Sequence, residues 1–168
     1  MGQIPGGLVV GDSISILVVD DYEPWRRFVR LALRAQDNLR IVGEVLDGSE
    51  AVQKAEELRP DLILLDIGLP TVNGIEAARQ IRKLSAKSKI LFVSENRSPD
   101  IAKEALSIGA GGYVVKSDAA SELLPAVKAV LEGKRFVSAA LAGHFLVAAT
   151  LTATQAISWI VTLIAGAS

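Results

Sequence analysis

Leu62-Ile63-Leu64-Leu65-Asp66-Ile67-Gly68-Leu69-Pro70 is four apolar residues, one acid, and a turn closed by proline. Four consecutive apolar residues without alternation suit a short strand buried on both faces. The carboxylate of Asp66 stands where that strand leaves the sheet. The same design recurs along the chain: Ile14–Val19 runs into Asp20-Asp21, Ile90–Val93 into Ser94, and Gly112–Val115 into Lys116, while Arg40–Val45 is a further β-branched run.

Between these runs the apolar period changes to that of a helix. Trp25, Phe28, Val29, Ala32 and Leu33 recur at three and four behind Pro24, a residue suited to a first helical turn. Ala51, Ala55 and Leu58 continue the pattern, as do Ile75, Ala78, Ile81 and Leu84, and then Ile101, Ala105 and Ile108 before Gly109. The last stripe is Leu123, Leu124, Val127, Val130 and Leu131, ended by Gly133. Pro125 inside it places the helix start near Glu122, because the first four N–H groups of a helix lack partners in any case. Five strands alternating with five helices predict an α/β fold: a doubly wound, five-stranded parallel sheet covered on both faces. In such sheets reactive groups gather at the carboxyl ends of the strands.

Composition narrows the chemistry. The chain has 168 residues, is half hydrophobic, and carries a net charge of −1 from 18 Lys+Arg and 19 Asp+Glu. With no Cys and one His, disulfide scaffolds, zinc sites built on Cys and His-rich metal sites are excluded. Near-neutral charge gives no bulk electrostatic reason to bind nucleic acid. Residues 1–13 are rich in Gly and lack the basic segment of a secretory signal, so they read as a loose leader and the cytoplasm as the compartment.

The strand ends offer three carboxylates, Asp20, Asp21 and Asp66, with the hydroxyl of Ser94 and the ammonium of Lys116. Three carboxylates converging on one crevice repel one another unless a divalent cation or the lysine neutralises them. Oxygen ligands of this kind favour Mg²⁺, which keeps waters and takes a phosphate partner. Asp66 then becomes a nucleophile toward phosphorus, with Lys116 offsetting phosphoryl charge and Ser94 donating a hydrogen bond. Taken one at a time, the same residues have plainer readings as helix caps, turn chemistry and surface charge. Trp25 and Phe28, on a helical stripe, read as core packing.

Other phosphate and nucleotide chemistries fit less well. A haloacid-dehalogenase-like phosphatase needs a second acid where Gly68 stands. A dinucleotide site needs glycines where Asp20-Asp21-Tyr22 stand, and a Walker loop lacks its Gly-Lys-Ser/Thr ending.

Leu17-Val18-Val19-Asp20-Asp21, Leu64-Leu65-Asp66-Ile67-Gly68-Leu69-Pro70 with Asn73-Gly74, Phe92-Val93-Ser94, and Gly112-Tyr113-Val114-Val115-Lys116 occur in that order. Together they resemble the motifs of a response-regulator receiver domain of two-component signalling. Ser94-Glu95-Asn96 and Lys116-Ser117-Asp118 through Gly133-Lys134-Arg135-Phe136-Val137-Ser138 are most similar to the branch that precedes LuxR-type (NarL/FixJ-like) helix-turn-helix domains. The resemblance implies a flavodoxin-like (CheY-like) sheet of order 2-1-3-4-5 and a receiver over residues 14–135. It also implies that Asp66 accepts phosphate from a sensor histidine kinase, by transfer that the receiver itself catalyses, and that autodephosphorylation later passes the phosphoryl group to water. Mg²⁺ would be arranged by Asp20, Asp21, Asp66 and the backbone carbonyl of Gly68, and the phosphoryl group would be contacted by Lys116 and Ser94. Ser94 and Tyr113 match the family's switch positions, whose change shifts a partner or homodimer surface on the fourth helix, fifth strand and fifth helix. Ser117 stands where many receivers have Pro, as is common in this branch. The rival reading is a receiver fold used as a phosphorylation-independent interaction module.

Every Lys, Arg, Asp and Glu lies at or before Arg135, so residues 136–168 form an apolar C-terminal tail, expected to be helical. Leu151-Thr152-Ala153-Thr154-Gln155 faintly echoes the opening of a LuxR-type domain, but without Arg or Lys the tail argues against autonomous DNA binding. Three readings stand open: a packed or dimerising helix, a membrane span over residues 141–165, and a frameshifted or truncated remnant.

Overall fold

The computed structural model describes residues 12–145. Elements alternate in chain order: β1 (Ile14–Val19), α1 (Glu23–Arg34), β2 (Leu39–Val45), α2 (Gly48–Leu58), β3 (Leu62–Leu65), α3 (Gly74–Leu84), β4 (Lys89–Ser94), α4 (Pro99–Ser107), β5 (Gly112–Val115), α5 (Ala119–Leu131) and β6 (Phe136–Val137). Residues 139–145 are again helical. All strand pairs are parallel, in the order β2-β1-β3-β4-β5-β6.

Strand residues alternate between two buried layers, as a pleated sheet requires. Leu17, Val19, Ile63, Leu65, Ile90, Phe92, Tyr113 and Val115 pack with α2, α3 and α4 on one face. Ile16, Val18, Leu62, Leu64, Leu91, Val93 and Val114 pack with α1 and α5 on the other. Because both faces are covered, the inner strand segments Ile16–Val19, Leu62–Leu65 and Ile90–Val93 are apolar without alternation, whereas the edge strand β2 carries Arg40 and Glu44. Trp25 and Phe28 pack against the second layer, their ring centroids 5.0 Å apart.

Two expectations need correction. The sheet has six strands, because Phe136 and Val137 pair with Gly112 and Tyr113 beyond the expected edge at β5. Gly112 makes this approach possible, since a Cβ there would fall 2.7 Å from the Phe136 carbonyl oxygen. The two-residue strand is too short to show a period of its own inside an uncharged apolar run. The last helix starts at Ala119, three residues before Glu122, and keeps Pro125 in its interior. Pro125 and Ser121 are both exposed, so the carbonyl that loses its partner four residues earlier faces water.

Core contacts also run past Arg135. Ser138 is fully buried: its N–H donates to the Tyr113 carbonyl at 2.9 Å, and its Oγ accepts from the Val115 N–H at 2.8 Å while donating to the Glu122 carboxylate. Leu141 belongs to the same buried layer as Ala102, Ala105, Tyr113 and Val115. Among the described residues no helix is long and apolar enough to cross a membrane. The span expected over 141–165 lies, from residue 146 onward, outside the described residues.

Candidate functional site

Register brings the strand ends level. Val19 pairs with Leu65, Leu65 with Phe92, and Ser94 with Val115. The residues that follow, Asp20 and Asp21 after β1, Asp66 after β3 and Lys116 after β5, therefore leave the sheet along one edge. Carboxylate oxygens of Asp20, Asp21 and Asp66 all lie within 4.8 Å of one another. Asp20 is 1% exposed and Asp66 8%, while Asp21 is open to solvent.

Lys116 crosses this crevice from the far side. Its Nζ lies 2.6 Å from Asp20 Oδ2 and 3.4 Å from Asp66 Oδ2, with only 7% of its side chain exposed. The contact with Asp66 has hydrogen-bond geometry, whereas Asp20 Oδ2 is buried and accepts no aligned hydrogen bond. The other oxygen of each acid is held by local backbone: Asp20 Oδ1 by the Tyr22 N–H at 2.9 Å, and Asp66 Oδ1 by the Ile67 N–H at 2.8 Å. Burial pushes the Asp20 carboxyl above its usual range, and the charge on Asp66 adds to this; Lys116 and the Tyr22 N–H act in the opposite direction.

The loop after Asp66 is fixed by its own backbone. The Ile67 carbonyl accepts from the Leu69 and Gly74 N–H groups at 2.9 and 2.8 Å, and Thr71 has a left-handed φ of 61°. Gly68 is exposed, and its carbonyl takes part in none of the loop's hydrogen bonds among the described residues. Asn73 caps α3, accepting from the Glu76 N–H at 3.0 Å.

Ser94 is buried, its Oγ accepting from the Asn96 N–H at 3.1 Å. Tyr113 is fully buried, and its hydroxyl donates to the Asn96 carbonyl at 2.8 Å. Burial pushes the Tyr113 phenol above its usual value; the Ser94 hydroxyl opposes the shift and the charge of Asp66 adds to it. Ser94, Tyr113 and the acids thus share one electrostatic neighbourhood.

Two residues to which the sequence reading gave no part in the site, Trp25 being read as core packing, touch this edge. Arg26 donates from Nη1 to the Asp20 carbonyl at 2.9 Å, and its Nε lies 3.3 Å from Glu44. Trp25 lies beneath Lys116, its ring centroid 5.2 Å from Nζ. Both stand on the first turn of α1, so closeness in sequence to Asp20-Asp21 was the available signal.

The donors fit Mg²⁺. They are hard oxygens from three clustered acids, one of them a buried oxygen that no aligned donor satisfies.

Comparison with known proteins gives the family of the fold. The response regulator receiver domain family matches residues 16–128, and the chain belongs to that family. It is 33% identical over 129 residues to the response regulator GacA of Pseudomonas syringae pv. syringae, covering 77% of this chain and 60% of that protein. It is 34% identical over 133 residues to the transcriptional regulatory protein LiaR of Bacillus subtilis, covering 79% and 63%. The crystal structure of a LuxR-family two-component response regulator from Aurantimonas sp. SI85-9A1 superimposes with a TM-score of 0.75 at 33% identity, covering 79% of this chain and 94% of that one. The chain thus spans about 60% of the length of these curated relatives. It is a receiver of two-component signalling, a class of signalling switch rather than of classical enzyme.

Proposed function

We propose that Asp66 accepts a phosphoryl group from a sensor histidine kinase and that the chain catalyses this transfer itself. A carboxylate oxygen of Asp66 attacks phosphorus, an O–P bond forms as the P–N bond of phosphohistidine breaks, and the leaving imidazole nitrogen takes up a proton. The placement of Lys116 Nζ within reach of both Asp20 and Asp66 supports this most strongly. The ammonium offsets negative charge that three acids and an incoming phosphoryl group would otherwise concentrate in one crevice. Asp20, Asp21, Asp66 and the Gly68 carbonyl are the ligands proposed for Mg²⁺, which supplies charge neutralisation to the acids and the phosphoryl oxygens. Ser94 is proposed as a hydrogen-bond donor to the phosphoryl group, and autodephosphorylation as the reverse control.

Tyr113 is proposed as the relay outward. Its hydroxyl reaches the Asn96 carbonyl before α4, its carbonyl holds Ser138, and Val115, two residues on, binds Ser138 Oγ. A change at Ser94 or Tyr113 would therefore be felt by β6 and residues 139–145. We place partner binding or homodimerisation on the face of α4, β5 and α5, of which the tail's first residues form part. The receiver unit is read as residues 14–135, with 1–13 as leader and 136–168 as an appended tail that starts by pairing with β5. A role in transcription regulation is proposed by analogy with LiaR, a transcriptional regulatory protein, and a cytoplasmic location is proposed with it.

The test is labelling with a small phosphodonor. With Mg²⁺ and acetyl phosphate the intact mass of the native chain should rise by one phosphoryl group, and that of Asp66→Ala should not. Equal labelling of both removes Asp66 from the role. Labelling of neither leaves the interaction module as the reading.

A further inference from the structure

We infer that Trp25 is a positioning residue for phosphoryl transfer, its indole face fixing the Lys116 ammonium beside Asp66. The inference rests on the reading of Asp66 as phosphoacceptor. Lys116 Nζ has three close neighbours of favourable electrostatics: Asp20 Oδ2 at 2.6 Å, Asp66 Oδ2 at 3.4 Å, and the Trp25 ring with its centroid at 5.2 Å. A cation within about 6 Å of an indole centroid is attracted by the ring quadrupole, more strongly when water is excluded.

The three neighbours differ in what happens to them during the reaction. Phosphorylation turns the Asp66 carboxylate into an acyl phosphate, so its negative charge moves outward onto the phosphoryl oxygens. Trp25 does not react, and α1 holds it: its backbone N–H donates to the Tyr22 carbonyl at 3.1 Å, and its ring packs on Phe28. Of these three neighbours it is the one that is neither charged nor part of the acid cluster.

Lysine has four rotatable side-chain bonds and a strongly hydrated head. Here the head is nearly dry, and the half-buried ring shields one of its sides. Replacing the ring by an aliphatic side chain admits water to the resting ammonium, which must then be stripped away as Nζ meets the phosphoryl oxygens. The resting state is stabilised and the transferring state is not, so the barrier rises.

The experiment uses the full chain with Trp159→Phe, so that Trp25 is its only tryptophan. Trp25→Phe and Trp25→Leu are made in parallel in the native chain, and each is labelled with acetyl phosphate and Mg²⁺ while intact mass is followed over time. Trp25→Leu is expected to label about fivefold more slowly, and Trp25→Phe, which keeps a π face, within about twofold of native. Equal slowing in both, or native rates in both, overturns the inference; because Trp25→Leu also loses the ring packed on Phe28, urea midpoints are compared alongside, and slowing that tracks lost stability rather than the lost π face overturns it as well. The second readout needs neither Mg²⁺ nor phosphodonor: indole emission of the Trp159→Phe chain should rise on Lys116→Met, as a quenching ammonium is removed from the ring. Unchanged emission overturns the contact. Absence of labelling in the native chain overturns the phosphoacceptor reading and the positioning role with it, whereas labelling of native and Trp25→Leu at one rate overturns the positioning role alone.

Discussion

Gly74 packs so closely on Asp66 that a Cβ on Gly74 would lie 1.9 Å from the Asp66 carbonyl oxygen. The first residue of α3 is thereby pressed against the strand end that carries the candidate phosphoacceptor, and only hydrogen fits between them. Asn73-Gly74 is thus a cap followed by a close approach, which together fix where the loop after Asp66 returns to the fold.

Gly74→Ala should therefore separate α3 from β3. The expected cost is about 1–3 kcal/mol, as for overpacking a filled site. Urea unfolding checks this, and labelling of Asp66 should fall in the same variant, because the displaced group is the Asp66 backbone itself.

Asn73→Ala removes the side-chain oxygen that accepts from the Glu76 N–H and leaves the Gly74 contact untouched. A loss of about 1 kcal/mol is expected from the cap alone. Comparing the two variants by unfolding and by labelling separates helix capping from the placement of Asp66.

Asp47 gives a pH signature. The Thr71 hydroxyl beside it holds its carboxyl below the ordinary value of 3.8, helped by the Glu50 and Ser49 N–H groups at the start of α2. A carboxylate with a depressed native pKa contributes stability that is fully present above its unfolded value and lost as pH falls through the native one. The stability difference between native and Asp47→Asn should thus be constant above about pH 5 and shrink as the solution is acidified below 3.8. A difference that grows on acidification would contradict the sign.

Ser138→Ala leaves the buried Val115 N–H without its acceptor and Glu122 Oε2 without the Ser138 hydroxyl, while Glu122 Oε1 keeps the Ala139 N–H. A cost of about 1–3 kcal/mol is expected. Amide exchange should quicken at Val137 and Ser138, while the amides of β1 and β3 stay protected. Uniform loss of protection would mean that β6 is not a separately released edge.

Much of this architecture could be read from residue pattern. The limits of β1, β3 and β5 match the apolar runs because strands buried on both faces announce themselves by continuity rather than period. Asp20, Asp21, Asp66, Ser94 and Lys116 were legible as strand-end residues, since parallel topology collects those ends on one edge. β6 was not, because two residues inside a longer apolar run carry no separate signal. Nor could sequence show that Lys116 sits closer to Asp20 than to Asp66, or that the Trp25 ring lies under Lys116 Nζ while packing on the second core layer. Those facts depend on where α1 leans against the sheet, which spacing along one helix does not determine.

The most direct test of the central claim is to locate the phosphoryl group chemically. After acetyl phosphate and Mg²⁺ treatment of the full chain, borohydride reduces an acyl phosphate on aspartate to homoserine, which peptide fragmentation assigns to a position. The account predicts homoserine at residue 66 and at no other aspartate. Homoserine at Asp20 or Asp21, or label that resists borohydride on a hydroxyl residue, would contradict it.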